Sequence, residues 1–274
     1  MNLAILITGE LRVPNLENLI NSIDEYDIFI STYDEYIDIA SNITTKNNIL
    51  TFNRNNINLE TKTLYQWLHL NNLLKHFKSR LMNFDIILKI RSDCYFFEPI
   101  NENNFINFKK NFFYMNSDHS FYSDTDNFYK VLKNFWLILN KNYLNNSHKP
   151  FKINYNNLIY SYNKIYRSDY INQYLENYDN YPLLNIRTNF NIGMKEQFYP
   201  RLIYHKDNLI LYKNMKKFKN YLMNNHDEIE DFFCKSNAKN DIFPSEKFFF
   251  LHVINKSKIL PFMLPTIGVY KKYY

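Results

Sequence analysis

Short apolar runs alternate with amphipathic stretches through the first ninety residues. Leu3-Ala4-Ile5-Leu6-Ile7-Thr8 stops at Gly9-Glu10-Leu11-Arg12, a second run is Asp27-Ile28-Phe29-Ile30-Ser31-Thr32, and a third, Ile86 to Ile90, leads into Arg91-Ser92-Asp93. Runs of this length, rich in Ile and bounded by polar or turn residues, read as strands covered on both faces. Pro14 and Asn15 open a helix through about Ile23, and Thr61 or Thr63 can cap a long amphipathic helix through about Met82. Asn48 to Phe52 reads as a further strand. Strands spaced by helices predict an α/β fold, Rossmann-like, with a mostly parallel central sheet and helices on both faces. Ligands of such sheets gather outside the carboxyl ends of the strands. Residues 8–12, 31–34 and 91–95 are therefore expected to converge.

Further along, Asn111 to Met115 and Ser120 to Ser123 look like strands, and Asp124-Thr125-Asp126 leads into a helix of about Phe128 to Leu139. Past Pro150 the pattern weakens to helical stretches near 155–178, strands near 183–192 and 199–205, and a helix near 244–256. No repeat or Pro/Gly/Ser linker divides the chain, which reads as one unit over 1–274. The Asn- and Lys-rich stretch from Asn140 to Lys152 is the seam between a half of about 1–140 and a half of about 150–274.

Composition removes several chemistries. Gly9, Gly193 and Gly268 are the only glycines and stand too far apart for a GxGxxG, P-loop or GxSxG motif. Cys94 and Cys234 form no metal or disulfide pattern, and the seven histidines show no HxxxH or HExxH spacing. His252 is the one guess for a histidine completing a metal site at a distance, against a partly buried helix histidine. The cysteine usage suits a reducing, cytoplasmic compartment. No apolar stretch approaches about 18 residues, so no membrane span is expected. The net charge of +6 suits a phosphate-bearing ligand or an anionic surface, but the lysines are scattered, and nucleic acid is not expected as a partner. The tail Tyr270-Lys271-Lys272-Tyr273-Tyr274 reads either as a disordered end or as a peripheral contact with an anionic membrane.

A carboxylate at the end of a strand can hold a divalent cation that in turn holds a diphosphate. With Asp93 so placed, Ile5 to Arg12, Asp27 to Thr32, Tyr65-Gln66-Trp67 and Ile87 to Asp93, in that order, resemble the WavE-like bacterial glycosyltransferases of capsule and lipopolysaccharide synthesis. The likeness covers mainly residues 1–130, with an echo at Pro244-Ser245-Glu246. It implies a GT-A fold with an acceptor-side C-terminal half, a nucleotide-sugar donor, and a glycan or lipid-linked glycan acceptor at the inner face of the plasma membrane. It also implies Mn²⁺ or Mg²⁺. The family's strand-end motif is commonly Asp-x-Asp, and here Arg91 stands at its first position, so Asp93 is the carried-over metal ligand while Arg91 can pair directly with a phosphate. Thr8, Gly9 and Arg12 fall beside the donor's nucleotide and diphosphate, Thr32 and Tyr33 beside base or ribose, and Gln66 near the nucleotide.

Each assignment has a plainer rival. Ser92-Asp93 can simply form a turn, Arg91 can be a structural ion-pair partner, and Arg12 can pair with Glu10 or Glu17. Asp124-Thr125-Asp126 is a literal Asp-x-Asp, yet its place before a helix makes it a natural N-cap. An inverting transfer needs a general base near the acceptor, and Asp118 and Glu246 are the two candidates; a first-turn helix carboxylate also explains Glu246.

Overall fold

The computed structural model describes residues 1–13, 16–57, 64–96, 98–115, 120–144, 154, 156–157, 160–161, 185–186, 245–261 and 266–271. Its strands are β1 (Leu3–Thr8), β2 (Asp27–Tyr33), β3 (Ile49–Phe52), β4 (Ile86–Ile90), β5 (Cys94–Phe96), β6 (Phe112–Met115), β7 (Phe121–Asp124), β8 (Asn185–Ile186), β9 (Lys258–Pro261) and β10 (Thr266–Lys271). Between them lie helices α1 (Leu16–Ile23), α2 (Ile37–Ile43), α3 (Tyr65–His76), α4 (Lys78–Leu81), α5 (Thr125–Leu132), α6 (Phe135–Leu144) and α7 (Ser245–Lys256).

A seven-stranded sheet runs in the order β3-β2-β1-β4-β7-β6-β9, and β5-β10-β8 form a small second sheet. β1 pairs in parallel with both β2 and β4, β2 with β3, and β6 with β9, whereas β7 runs antiparallel to its neighbours β4 and β6. The fold is thus α/β with a mostly parallel mixed sheet. Alternate strand residues face opposite layers. Ala4, Leu6, Phe29 and Ile87 pack with apolar residues of α3, α5, α6 and α7, while Ile5, Ile7, Ile28, Ile30 and Leu88 pack with Leu19 and Ile23 of α1 and Ala40 and Ile43 of α2. Helices on both faces leave no polar side for these strands, which is why β1 is apolar at nearly every position. Trp67 anchors the α3 layer, its ring lying 6.5, 4.8 and 4.5 Å from those of Phe121, Phe135 and Phe249.

Several elements differ from expectation. α2 has no counterpart in the sequence reading because Ile37-Asp38-Ile39 alternates like a strand. A crossover is nonetheless required between parallel neighbours β2 and β3, and the helix buries Ala40 and Ile43 to supply it. The long helix expected to reach Met82 breaks at Phe77 into α3 and α4, and the stretch expected from Phe128 to Leu139 is divided between α5 and α6. β5, β9 and β10 were not foreseen. Tyr270 and Lys271 pair with Ile186 and Asn185 in an antiparallel ladder, so this part of the tail is strand rather than a loose end. The expected strand at 199–205 lies outside the described residues, as does most of 155–178. No helix among the described residues is long and apolar enough to cross a membrane.

Asp124 resolves one ambiguity. Its carboxylate accepts from the Asn127 backbone N–H at 3.0 Å, capping α5, and from the Asn111 N–H at 2.6 Å, holding a residue whose φ is 66°. Asn127 in turn donates to Ser123 Oγ and Ser257 Oγ at 2.9 and 3.1 Å, tying the start of β9 to β7. The literal Asp-x-Asp is therefore a structural cap. Replacing Asp124 by Ala removes the cap and leaves the Asn111 N–H without its acceptor, for a loss of about 1–3 kcal/mol in urea unfolding. Ligand binding at the strand ends is expected to survive in Asp124→Ala, and its loss in a folded variant would return the metal reading to this residue.

Candidate functional site

The β1 chain reverses at Gly9, whose φ of +96° is one that L side chains rarely adopt. The Gly9 N–H donates to the Ser31 carbonyl at 2.9 Å, and the Gly9 carbonyl accepts from Thr32 Oγ1 at 2.8 Å, so the turn is clamped to the end of β2. Gln66, in the first turn of α3, comes within van der Waals range: a Cβ placed on Gly9 would lie 4.0 Å from its Cα. On the other side, Ser92 laces the loops after β1 and β4. Its Oγ accepts from the Arg12 N–H at 3.0 Å and donates to the Glu10 carbonyl at 3.1 Å. Residues 8–12, 31–34 and 91–95 do converge, around the point where the sheet order turns from β1 to β2 on one side and to β4 on the other.

Charged groups from four loops meet there. Glu10 accepts from Arg12 Nε at 2.7 Å and from Arg54 Nη2 at 3.0 Å. Arg54 also pairs with Glu35 at 2.9 Å and lies 4.4 Å from the centroid of the Tyr33 ring. Behind β4, Arg91 grips Asp93 through both nitrogens of its fork, Nε to Oδ1 at 2.8 Å and Nη2 to Oδ2 at 2.7 Å. Asp93 is buried, Arg91 partly so, and Arg12 is 65% exposed. The backbone beneath is a turn closed by Cys94 N–H to the Arg91 carbonyl at 3.2 Å. Both plainer readings hold in part: Arg12 pairs with Glu10, and Arg91 with Asp93.

Among the described residues, the buried side-chain atoms without hydrogen-bond partners are Thr8 Oγ1 at the end of β1 and, on α3, Trp67 Nε1 and His69 Nε2. The other ring nitrogen of His69 is 2.9 Å from Ser31 Oγ, and its ring meets those of Tyr33 and Phe52 edge-on at 4.7 and 5.4 Å. Burial, reinforced by the charge of Arg54, pushes the His69 pKa down to about 4, so the imidazole is neutral at pH 7. Burial also pushes Tyr33 up to about 12, keeping its phenol protonated.

Thr8, Gly9, Arg12, Arg91 and Asp93 thus stand together. Thr32 is buried, and its hydroxyl is committed to the Gly9 carbonyl. Tyr33, only 2% exposed, lies beneath Arg54 instead of offering a free ring face. Glu246 lies in the first turn of α7, and its side chain, like the whole of Asp118, is outside the described residues. His252 is a core residue whose Nε2 donates to the Val131 carbonyl. Glu35, Arg54 and His69 escaped the sequence reading. The first two are lone charges in a polar stretch, while His69 had one weak signal, its place a turn beyond Tyr65 and Gln66 on the helix that covers β1 and β2.

Among the described residues no three His, Cys, Asp or Glu side chains cluster as a metal site. Mg²⁺ is commonly held by one or two carboxylates, with substrate phosphates and water completing the shell. Asp93 fits that partial role, as one hard oxygen ligand whose availability depends on Arg91. The neighbouring Cys94 thiol is pushed up by burial and then by the Asp93 charge, which makes it a poor nucleophile. Comparison with protein-family models and with curated proteins finds no match to this chain.

His69 and His252, both lowered to about 4 by burial, bind protons less readily folded than unfolded. The stability they contribute is whole above the ordinary value near 6.5 and is lost progressively as pH falls from there through about 4, the loss at pH 5 being roughly 2 kcal/mol per histidine. Urea unfolding at pH 7 and pH 5 should show this drop, with His69→Gln removing about half of it; an unchanged pH dependence in the variant would contradict a neutral, buried His69.

Proposed function

We propose that this protein is a glycosyltransferase of the GT-A type that moves a sugar from a nucleotide donor to a glycan or lipid-linked glycan of a capsule or lipopolysaccharide. The convergence of Thr8–Arg12 with Arg91–Asp93 at the carboxyl ends of adjacent parallel strands carries the reading. That is the position at which doubly wound sheets take nucleotides. Three guanidinium groups there, with the orphaned Thr8 hydroxyl at the end of β1, suit a diphosphate better than a neutral ligand. The mixed sheet with helices on both faces is compatible with the GT-A architecture.

Sugar transfer breaks the bond between the anomeric carbon and the diphosphate oxygen, and negative charge grows on the departing nucleoside diphosphate. Arg12 and Arg91, once turned from their carboxylates, would stabilise that charge as it develops, on backbone turns that Ser92 and Gly9 hold in place. Asp93 would be the residue to hold a divalent cation, which would contribute Lewis-acid stabilisation of the leaving group. Inverting transfer would take its base from Asp118 or Glu246. The acceptor's membrane attachment would place the enzyme at the cytoplasmic face of the membrane.

The test is thermal unfolding against a panel of nucleoside diphosphates and monophosphates in Mn²⁺, Mg²⁺ or EDTA. A selective diphosphate should stabilise the protein, by about 2.7 kcal/mol at a hundredfold excess over Kd. Arg12→Ala should weaken that stabilisation at least severalfold with an unchanged melting temperature of the free protein, because its exposed side chain contributes little to the fold. Absence of any nucleotide effect at millimolar concentration would overturn the proposal.

A further inference from the structure

Among the described residues the charged rim pairs its own charges. Glu10, Glu35 and Asp93 face Arg12, Arg54 and Arg91, and each arginine fork points at a carboxylate of the rim. Glu10 accepts from two guanidinium groups brought from different loops, one after β1 and one after β3. The Arg91–Asp93 pair has the two-point geometry with which a guanidinium holds a phosphate. A bare anion arriving here must break one of these pairs and leave a partly buried carboxylate exposed to its own charge. A bare cation must displace an arginine from Asp93, which is likewise unfavourable. A cation and a diphosphate arriving together can replace both halves of each pair at once.

We propose that Glu10 and Asp93 are internal placeholders for the phosphates of the ligand. Each occupies a guanidinium fork that a diphosphate takes over, and the carboxylate so released accepts a divalent cation. Anion and cation binding are then coupled through exchange of partners. The Thr8 hydroxyl, buried at the end of β1 and without a hydrogen-bond partner, is a separate observation: a polar atom that a phosphate oxygen would satisfy. The inference rests on the nucleotide-diphosphate reading and goes further, because it assigns Glu10 a role and predicts that removing an acid improves binding of an anion. A simple metal-ligand role for Asp93 predicts no such gain.

The experiment is calorimetric titration of the full chain with inorganic pyrophosphate and with the best nucleoside diphosphate, in EDTA and in Mn²⁺, allowing for association of the metal with the probe in solution. Wild type should bind the diphosphate more tightly in Mn²⁺ by at least about fivefold, the low end of couplings between sites. Glu10→Gln and Asp93→Asn, checked for folding by circular dichroism, should each bind more tightly than wild type in EDTA by a similar factor. Asp93→Asn should also lose the Mn²⁺ enhancement, whereas Glu10→Gln should keep part of it. If folded variants bind no better than wild type in EDTA, the placeholder role is wrong and the nucleotide reading stands. If neither probe binds any of the three proteins, both fall together.

Discussion

Parallel pairing of β1 with β2 and with β4 at once is the constraint from which the rest follows. It puts three carboxyl ends side by side, so the chain must leave the sheet in three turns at the same edge. Side chains of those turns then meet without being near in sequence: Arg12 and Ser92 are joined by a hydrogen bond across 80 residues, and Glu10 and Arg54 across 44. The pairing itself is made possible by helices on both faces, since a parallel sheet has no solvent-facing side to spare. Trp67, Phe121 and Phe249 on one face and the Ile5–Ile28–Leu88 layer on the other hold that arrangement.

Electrostatics decides what this edge can do. A guanidinium pair with a carboxylate at an exposed position contributes little to stability, so the exposed Arg12–Glu10 contact is cheap to exchange. Arg91–Asp93 is different because Asp93 is buried, and breaking the pair without a replacement would strand its charge. Neutral His69 and protonated Tyr33 beneath add no charge of their own. Among the described residues the acids and arginines of this edge are paired with one another, and a single added ion disturbs that pairing, which favours a ligand that brings both signs.

Much of this was legible from residues alone. The apolar runs beginning at Leu3, Asp27 and Ile86 are strands, and the loops that end them converge, because continuous burial on both faces writes an unbroken apolar signal. Asp124 was legible as a cap. What was hidden depends on contacts between distant segments. Ile37-Asp38-Ile39 alternates locally like a strand, and only the need to cross from β2 to β3 makes it helix. Arg54 and Glu35 carry no pattern, and their role appears once β3 is placed beside β2. The partner choices of Arg12 and Arg91 are also invisible in sequence, since an arginine near an acid can serve either the acid or a phosphate.

The most direct measurement is a crystal structure of the full chain grown with the nucleoside diphosphate that stabilises it best. The account predicts the diphosphate between residues 8–12 and 91–93, with Arg12 and Arg91 turned from Glu10 and Asp93 onto its oxygens. A nucleotide bound elsewhere, or bound at this edge with both ion pairs intact, would contradict it.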